Sequence, residues 1–466
     1  MYLSPHSGQM PRTPGAVAMI VCTAMCLCQS ACAEASAHTL VVRGAAVFDS
    51  ARGEMLFNRA VVVRGDRIES ISSDSANFAV PDGAEVIDAS GKFVLPGLID
   101  AHAHLQHQLN LAYMTGEEVL PLYLACGVTS LRVVGDQVSV QKLIANYAEA
   151  HRESCPRIYM CSPLIDGPQP FHQDVGWDLS DPEKVPAFVE DMKAWGVTTL
   201  KIYVGTQQLV GKRVIEEAHK RGLMVTGHLG LYHAQDAVSD GIDCLEHIWS
   251  VFDYIIPDGP RQDGYRSVMD LTTPKAKDLI AGIKKHNVAV DPTLTIFRNA
   301  ILLTDLDGVY NNPDLAHVPA RLRRRWESHR AQLGLKPETF NLRRKEFEKY
   351  QELTGILYRE GVTILAGTDT AEPYVIPGFS LHEELERLVE SGLPASAALQ
   401  SATIHNASAL KQEANLGSIA AGKLADLVVL SADPLADIRN TRKIDIVIRG
   451  GIVCDPQTLL KMAPPE

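Results

Sequence analysis

The sequence predicts a (β/α)8 barrel carrying a small β-sandwich domain built from the N- and C-terminal segments. Three observations point there. Short apolar runs, each with a residue able to bind a metal at or near its end, recur along the middle of the chain: 95–104, 198–203, 223–228, 243–248 and 362–369. Helical patterns alternate with them, and strands alternating with helices imply a parallel sheet. The two ends have another texture, with period-two runs broken by Gly and Asp. About eight strand–helix units fit between 93 and 410, the number a closed barrel needs. Barrel enzymes carry catalytic residues at the C-terminal ends of their strands, where these runs place them.

In chain order, 15–28 is a run of small and apolar residues after Arg12. It is shorter than a bilayer-spanning helix and fits the core of a secretory signal peptide. Ala31-Cys32-Ala33 and Ala35-Ser36-Ala37 both suit cleavage, so 1–37 is expected to be a signal peptide and the mature chain secreted or periplasmic. Lipid anchoring through Cys32 is disfavoured, because Gln29 stands where such signals usually have Leu. No later segment reads as membrane-spanning.

The runs 40–44, 60–68 and 85–88 alternate between apolar and polar, as a small antiparallel sheet does, and 426–453 matches them. The sandwich domain is therefore expected over 38–94 and 416–466, with the barrel over 95–415. Helices are expected at 117–126, 139–149, 183–195, 211–221, 274–286 and 380–391, with Gly127, Gly196, Gly222 and Gly392 as C-terminal caps. The long charged stretch 311–359 is the main insertion, between strands seven and eight, and is expected to cover the site as a lid.

The chain has 466 residues, enough for one large barrel and a smaller domain. Its net charge of −12 argues against a nucleic-acid partner, which needs a basic surface. The basic run 321–325 reads as a solvated helix face. Of nine cysteines, Cys126, Cys155, Cys161, Cys244 and Cys454 lie beyond the leader. They form no Cys-x-x-Cys pair, so a thiolate zinc site is not expected. A Cys155–Cys161 disulfide would need an extended strand to bring its ends together.

His102 and His104, two apart at a strand end, share one face and can bind one ion through neutral imidazoles. Lys201, His228, His247 and Asp369 close the later runs. Lys201 alternates with outward-facing Leu200 and Ile202, so it faces the barrel interior together with Tyr203. A cationic lysine there would be repelled by metal ions, and its ordinary pKa is about 10.4. The absence of a phosphate-binding glycine loop or a Gly-x-Ser-x-Gly motif leaves nucleotide-driven and serine chemistry unsupported.

With Pro96 to His104, Leu200-Lys201-Ile202-Tyr203, Ala366-Gly367-Thr368-Asp369 and the stretch 417–430, the chain resembles the amidohydrolase superfamily from about Thr39 onward. Its branch is the dinuclear, imidazolonepropionase-like and Xaa-Pro dipeptidase (prolidase)-like one. The resemblance implies that Lys201 reacts with carbon dioxide to give a carbamate that bridges two divalent metals. His102, His104, Lys201 and Asp369 would hold the more buried ion, and Lys201, His228 and His247 the other. Nitrogen and oxygen ligands suit zinc, with manganese, cobalt or iron as alternatives. A bridging water, its pKa brought from about 15.7 towards about 7, would attack a carbonyl. Asp369 would take its proton and pass it to the leaving nitrogen.

The expected activity is hydrolysis of an amide in a dipeptide or N-acyl amino acid. The alternatives are a cyclic or aromatic amide of the ochratoxin type, and a non-catalytic family member. A mononuclear deaminase fits less well, because such enzymes generally lack the bridging lysine. Tyr203, Tyr232 and Arg298 are candidates to bind a substrate carboxylate, and His172 is a further candidate contact. A homo-oligomer is left open.

Overall fold

The computed structural model describes residues 38–256, 265–303, 311–334 and 338–462; the expected signal peptide lies outside them. The first lobe is built from both ends of the chain. Strands β1 (Thr39–Asp49), β2 (Glu54–Arg64) and β3 (Arg67–Ser73) form an antiparallel meander. Strands β4 (Glu85–Asp88) and β5 (Phe93–Pro96) lie parallel to β1, so the sheet is mixed rather than purely antiparallel. From the C-terminal end come β14 (Leu427–Leu430), β15 (Ile444–Arg449) and β16 (Ile452–Cys454), giving the order β16-β15-β14-β5-β1-β2-β3.

The sheet then closes on itself. Ile68 N–H donates to the Lys423 carbonyl (2.9 Å) and Ala425 N–H to that of Asp66 (2.8 Å), tying β3 to the segment leading into β14. The enclosed core holds Leu40, Val42, Val61, Val63, Leu427 and Val429. β1 is bulged between Val42 and Val47, next to Gly44 at φ +75°. Only glycine suits that position, where a Cβ would lie 2.5 Å from Ser90 Oγ.

Seven parallel strands form the barrel: β6 (Leu98–Ala103), β7 (Val128–Gly135), β8 (Arg157–Asp166), β10 (Thr199–Ile202), β11 (Met224–Gly227), β12 (Cys244–Glu246) and β13 (Ala289–Asp291). The short β9 (Gly176–Asp178) pairs with β8 outside this path. Segment 364–370 supplies the eighth position, bridging Val290 on one side and Ala103 on the other. Asn406, fully buried, clamps this seam. Its Nδ2 donates to the Ile99 carbonyl (2.7 Å) and the Ala366 carbonyl (2.8 Å), and its Oδ1 accepts from Ala366 N–H (3.2 Å). An amide side chain thus bonds buried backbone groups of both strands, beside the Ala101 N–H that also donates to the Ala366 carbonyl (3.1 Å).

Helices cover the barrel where the helical pattern predicts them, among them Val138–Ala150, Val185–Trp195, Gln208–Lys220, Pro274–Lys285 and Phe379–Glu390. Gly196 caps the second of these at φ +86°. The insertion forms helices Ala320–Leu333 and Glu338–Arg359. It lies between strands seven and eight, as predicted, and none of its described residues lines the cavity discussed below. Its apolar stripe explains why. Trp326, Tyr350 and Leu353 are buried in the main core, with Trp326 against Tyr374 and Tyr350 against Phe297 of helix Leu294–Leu302.

The five described cysteines are free and buried, so Cys155 and Cys161 are not bridged. Among the described residues, no helix is long and apolar enough to cross a membrane.

Candidate active site

At the C-terminal mouth of the barrel lies a cavity of about 170 Å³. His102, His104, Lys201, His228, His247 and Asp369 all line it, so the six predicted ligand positions converge. His102 sits in β6 and His104 just after it. His104 Nε2 is 3.0 Å and His102 Nε2 3.5 Å from Asp369 Oδ1. His247 Nδ1 is 3.7 Å from Asp369 Oδ2, and the rings of His228 and His247 have centroids 4.7 Å apart. His102, His104 and Asp369 offer three ligand atoms close enough to share one ion.

The environment sets protonation. Burial pushes His228 and His247 well below the ordinary histidine range, and burial with the neighbouring Lys201 brings His102 to about 4. These imidazoles are therefore neutral, as metal ligation requires. Burial also opposes charge on His104, but Asp136 and Asp369 outweigh it and push its imidazolium up to about 10. Burial works against the Asp369 carboxylate as well, yet the surrounding histidines hold it well below its usual range. Lys201, 1% exposed, has its pKa lowered, chiefly by burial.

Three buried groups here have no hydrogen-bond partner among the described residues: His102 Nε2, His228 Nε2 and Lys201 Nζ. Buried polar groups are rarely left so. Three orphans facing one cavity fit a site that holds metal ions.

Beneath the mouth is a set of charges that the sequence reading missed. Glu246 Oε2 lies 2.7 Å from His102 Nδ1, and Oε1 lies 2.6 Å from the Arg132 guanidinium. Burial opposes the Glu246 charge, but Arg132 and His102 hold its carboxyl well below the usual range. An ionised carboxylate only accepts, so Nδ1 of His102 carries the proton and Nε2 presents its lone pair to the cavity. Thr226 Oγ1 also donates to Glu246. Asp291, 3.7 Å from Arg132, is pushed well above the usual range by burial and by the Glu246 charge. Arg132 was the available signal: one arginine inside the apolar run 128–135 needs a buried partner.

Two ligand-bearing residues have left-handed backbone, His247 at φ 61° and Asp369 at φ 63°. Such conformations cost about 1–3 kcal/mol each and persist where the surroundings enforce them. His247 N–H donates to the Asp291 carbonyl (2.8 Å), and its Nδ1 lies 2.8 Å from Thr293 Oγ1. Asp369 N–H donates to the His102 carbonyl (2.8 Å). Asp100 accepts from Thr368 Oγ1 (2.7 Å) and from His102 N–H (3.1 Å), pinning the turn before Asp369.

Of the four proposed substrate contacts, Tyr203 and His172 line the cavity, with His172 Nε2 3.0 Å from the Tyr203 hydroxyl. Tyr232 and Arg298 do not. The loop after β11 folds back so that Tyr232 is buried under Gly211, with its hydroxyl on Asp240 (3.0 Å). Arg298 lies on helix Leu294–Leu302, whose Ile296 faces the cavity; two residues on, the helix has turned about 200°. Arg298 instead lines a separate cavity with Asp314, Glu383 and Arg442. The sequence reading missed His107, Gln108 and Glu372 in the wall. Gln108 Nε2 donates to Glu372 Oε1 (3.1 Å), and burial with the Asp369 charge pushes Glu372 up to about 7.

The fold is similar to that of a Xaa-Pro dipeptidase solved with methionine bound in its active site. The two are 22% identical with TM-score 0.66, over 90% of this chain and 100% of that one. It is also similar to bottromycin amidohydrolase (23% identity, TM-score 0.71, over 91% and 88%) and to ochratoxinase from A. niger (18%, 0.63, over 90% and 96%). Among curated proteins, adenine deaminase 3 of Rhizobium meliloti (strain 1021) is 24% identical over 84% of this chain and 54% of its own length. The chain spans about half the length, or less, of the curated adenine deaminases it matches. A family model matches residues 93–453, from the last strand of the N-terminal segment through the whole barrel to β16. With the ligand-type residues at its strand ends, this chain belongs to the amidohydrolase family.

Proposed function

We propose that the chain is a dinuclear metal-dependent amidohydrolase that cleaves the amide bond of a dipeptide or an N-acyl amino acid. The observation that carries this reading is the convergence of the six ligand-type side chains on one cavity, with His102 Nε2, His228 Nε2 and Lys201 Nζ buried and unpartnered among the described residues. His102, His104, Lys201 and Asp369 would hold one divalent ion, and Lys201, His228 and His247 a second, with zinc the metal of choice for these donors.

Lys201 would help hold both ions once its neutral amine has added to carbon dioxide, giving a carbamate and releasing one proton. Burial favours the neutral amine that this addition needs. When bound, the two ions supply an acidified water as nucleophile and polarise the scissile carbonyl. Asp369 accepts the proton at a carboxylate oxygen and delivers it to the leaving nitrogen. Glu246 keeps the proton of His102 on Nδ1, so that Nε2 remains a ligand. Tyr203 and His172 orient the substrate from the wall. The reading includes export of the mature chain through the leader 1–37.

A hydrolysis screen over dipeptides and N-acyl amino acids, with zinc and bicarbonate supplied, tests it. Release of free amino acid is expected. Adenine belongs in the same screen, because adenine deaminases are among the relatives. Adenine deamination without any amide hydrolysis would overturn the proposal.

A further inference from the structure

The cavity that holds the ligand set has a legible wall. Leu164, Val175 and Ile296 make its apolar part. Its polar part beyond the ligands is His107, Gln108, His172, Tyr203 and Glu372. Among the described wall residues there is no arginine, and no lysine other than Lys201. With Arg298 and Tyr232 directed elsewhere, the described wall residues offer no guanidinium to a substrate carboxylate. Beyond the ligand set, the described wall offers one carboxyl, that of Glu372.

Glu372 is also held in place. Its N–H donates to the Asp369 carbonyl (3.1 Å), and its own carbonyl accepts from Val375 N–H (2.8 Å). Gln108, from the short helix His107–Asn110 after the first barrel strand, donates to Oε1 at 3.1 Å. Among the described residues no hydrogen bond is given to Oε2, which leaves that oxygen for a ligand. The position suits one part of a peptide in particular. In a dipeptide, only the α-carbon separates the free amino group from the scissile carbonyl. An anchor for that amine must therefore stand beside the residue that handles the proton, and Glu372 is three residues beyond Asp369 on the same loop.

We infer that Glu372 is the anchor for a protonated amino group, and that the substrates are dipeptides or amino-acid amides with a free N-terminus rather than N-acylated ones. This rests on the amide-hydrolase reading above and narrows its substrate class. Acylation replaces the ammonium with a larger neutral amide, which loses the charge-assisted hydrogen bond and leaves the Glu372 carboxyl without a cation.

The test is a ratio. kcat/KM is measured for a dipeptide and for its N-acetyl counterpart, in wild type and in Glu372→Gln, each with its metal content checked by elemental analysis. Wild type should favour the free amine roughly 10- to 100-fold, the worth of one hydrogen bond to a charged group. Glu372→Gln, with wild-type metal content, should bring the ratio to within a few-fold of one. A wild-type ratio near one, or an unchanged ratio in the variant, overturns the inference. So does loss of metal from Glu372→Gln, which would make Glu372 a ligand. Absence of any hydrolysis by wild type would instead count against the amide-hydrolase reading. The inference is then read by calorimetry, from the binding ratio of a phosphinic dipeptide analogue with a free amine and its N-acetyl form; equal binding, or none, overturns it.

Discussion

Replacing Glu246 by Gln tests whether the charges under the cavity build the site above them. The substitution keeps size and shape but removes the charge between Arg132 (2.6 Å) and His102 Nδ1 (2.7 Å). Removing one partner of a buried ion pair typically costs about 3–5 kcal/mol, because the other charge is left buried and unpaired. Asp291 softens the blow here. It lies 3.7 Å from Arg132 and is kept protonated partly by the Glu246 charge itself, so it can ionise once that charge is gone. The expected loss is therefore about 3 kcal/mol, at the lower end of that range.

A second effect is separate from stability. Gln can donate as well as accept, so the proton on His102 is no longer confined to Nδ1, and the fraction presenting a free Nε2 falls. Partners of metal-binding histidines are typically worth about 10–100-fold in metal affinity. Denaturant unfolding of the metal-free protein reads the first effect, and zinc titration against a competing chelator reads the second. If Glu246→Gln unfolds within about 1 kcal/mol of wild type and binds zinc within about twofold, the cluster is packing and not a support for His102.

Four other outcomes follow from the same geometry. Elemental analysis of protein grown in zinc should find about two metal ions per chain, and one or none would remove the dinuclear reading. Lys201→Ala should lose both activity and metal, with partial recovery from added short-chain carboxylates; full activity and full metal would make the lysine structural. Asp369→Asn, compared at matched metal occupancy, should lower kcat by about 10²–10⁴-fold with a much smaller change in KM, because the amide can neither take nor pass the proton; a kcat within a few-fold of wild type would move that role to another group. Asn406→Leu should destabilise by about 2 kcal/mol or more in denaturant unfolding, since Ala366 N–H and the Ile99 carbonyl lose the Asn406 amide and the Ala366 carbonyl keeps only Ala101 N–H; a change under about 1 kcal/mol would show that the seam closes without the clamp.

The ligand set was legible because a barrel turns sequence position into spatial position. His102, Lys201, His228, His247 and Asp369 each close an apolar run, and parallel strands in one barrel bring all such ends to one mouth. The rule fails one step beyond the strand, where periodicity no longer aims side chains. Tyr232 follows a loop that folds back, and Arg298 follows a helical turn that points its neighbour Ile296 at the cavity instead. The packing of the insertion was illegible for a related reason. Its charge suggested an exposed cover, but Trp326, Tyr350 and Leu353 fix its packing on the barrel flank. In the terminal lobe, period-two patterning found the strands. It carries no record of partners, so the parallel pairing of β4 and β5 with β1 was not readable.

The residues that sequence reading passed over share a position in the energetics as well as in the chain. Arg132 and Glu246 are charges buried inside strands, with the Asp291 carboxyl beside them, and each charge alone would be too costly to keep. Asp100 and Asn406 spend their polar atoms on the backbone of strands one and eight. Together they support the seam at which the chain's first and last barrel segments meet, and His102 and Asp369 stand on the two sides of that seam. Asp369 can hold its left-handed backbone only because strand one accepts its N–H and Asp100 pins Thr368 beside it. The ligand geometry is thus a product of barrel closure: these two ligands come together only when segments nearly the whole barrel apart in sequence have paired.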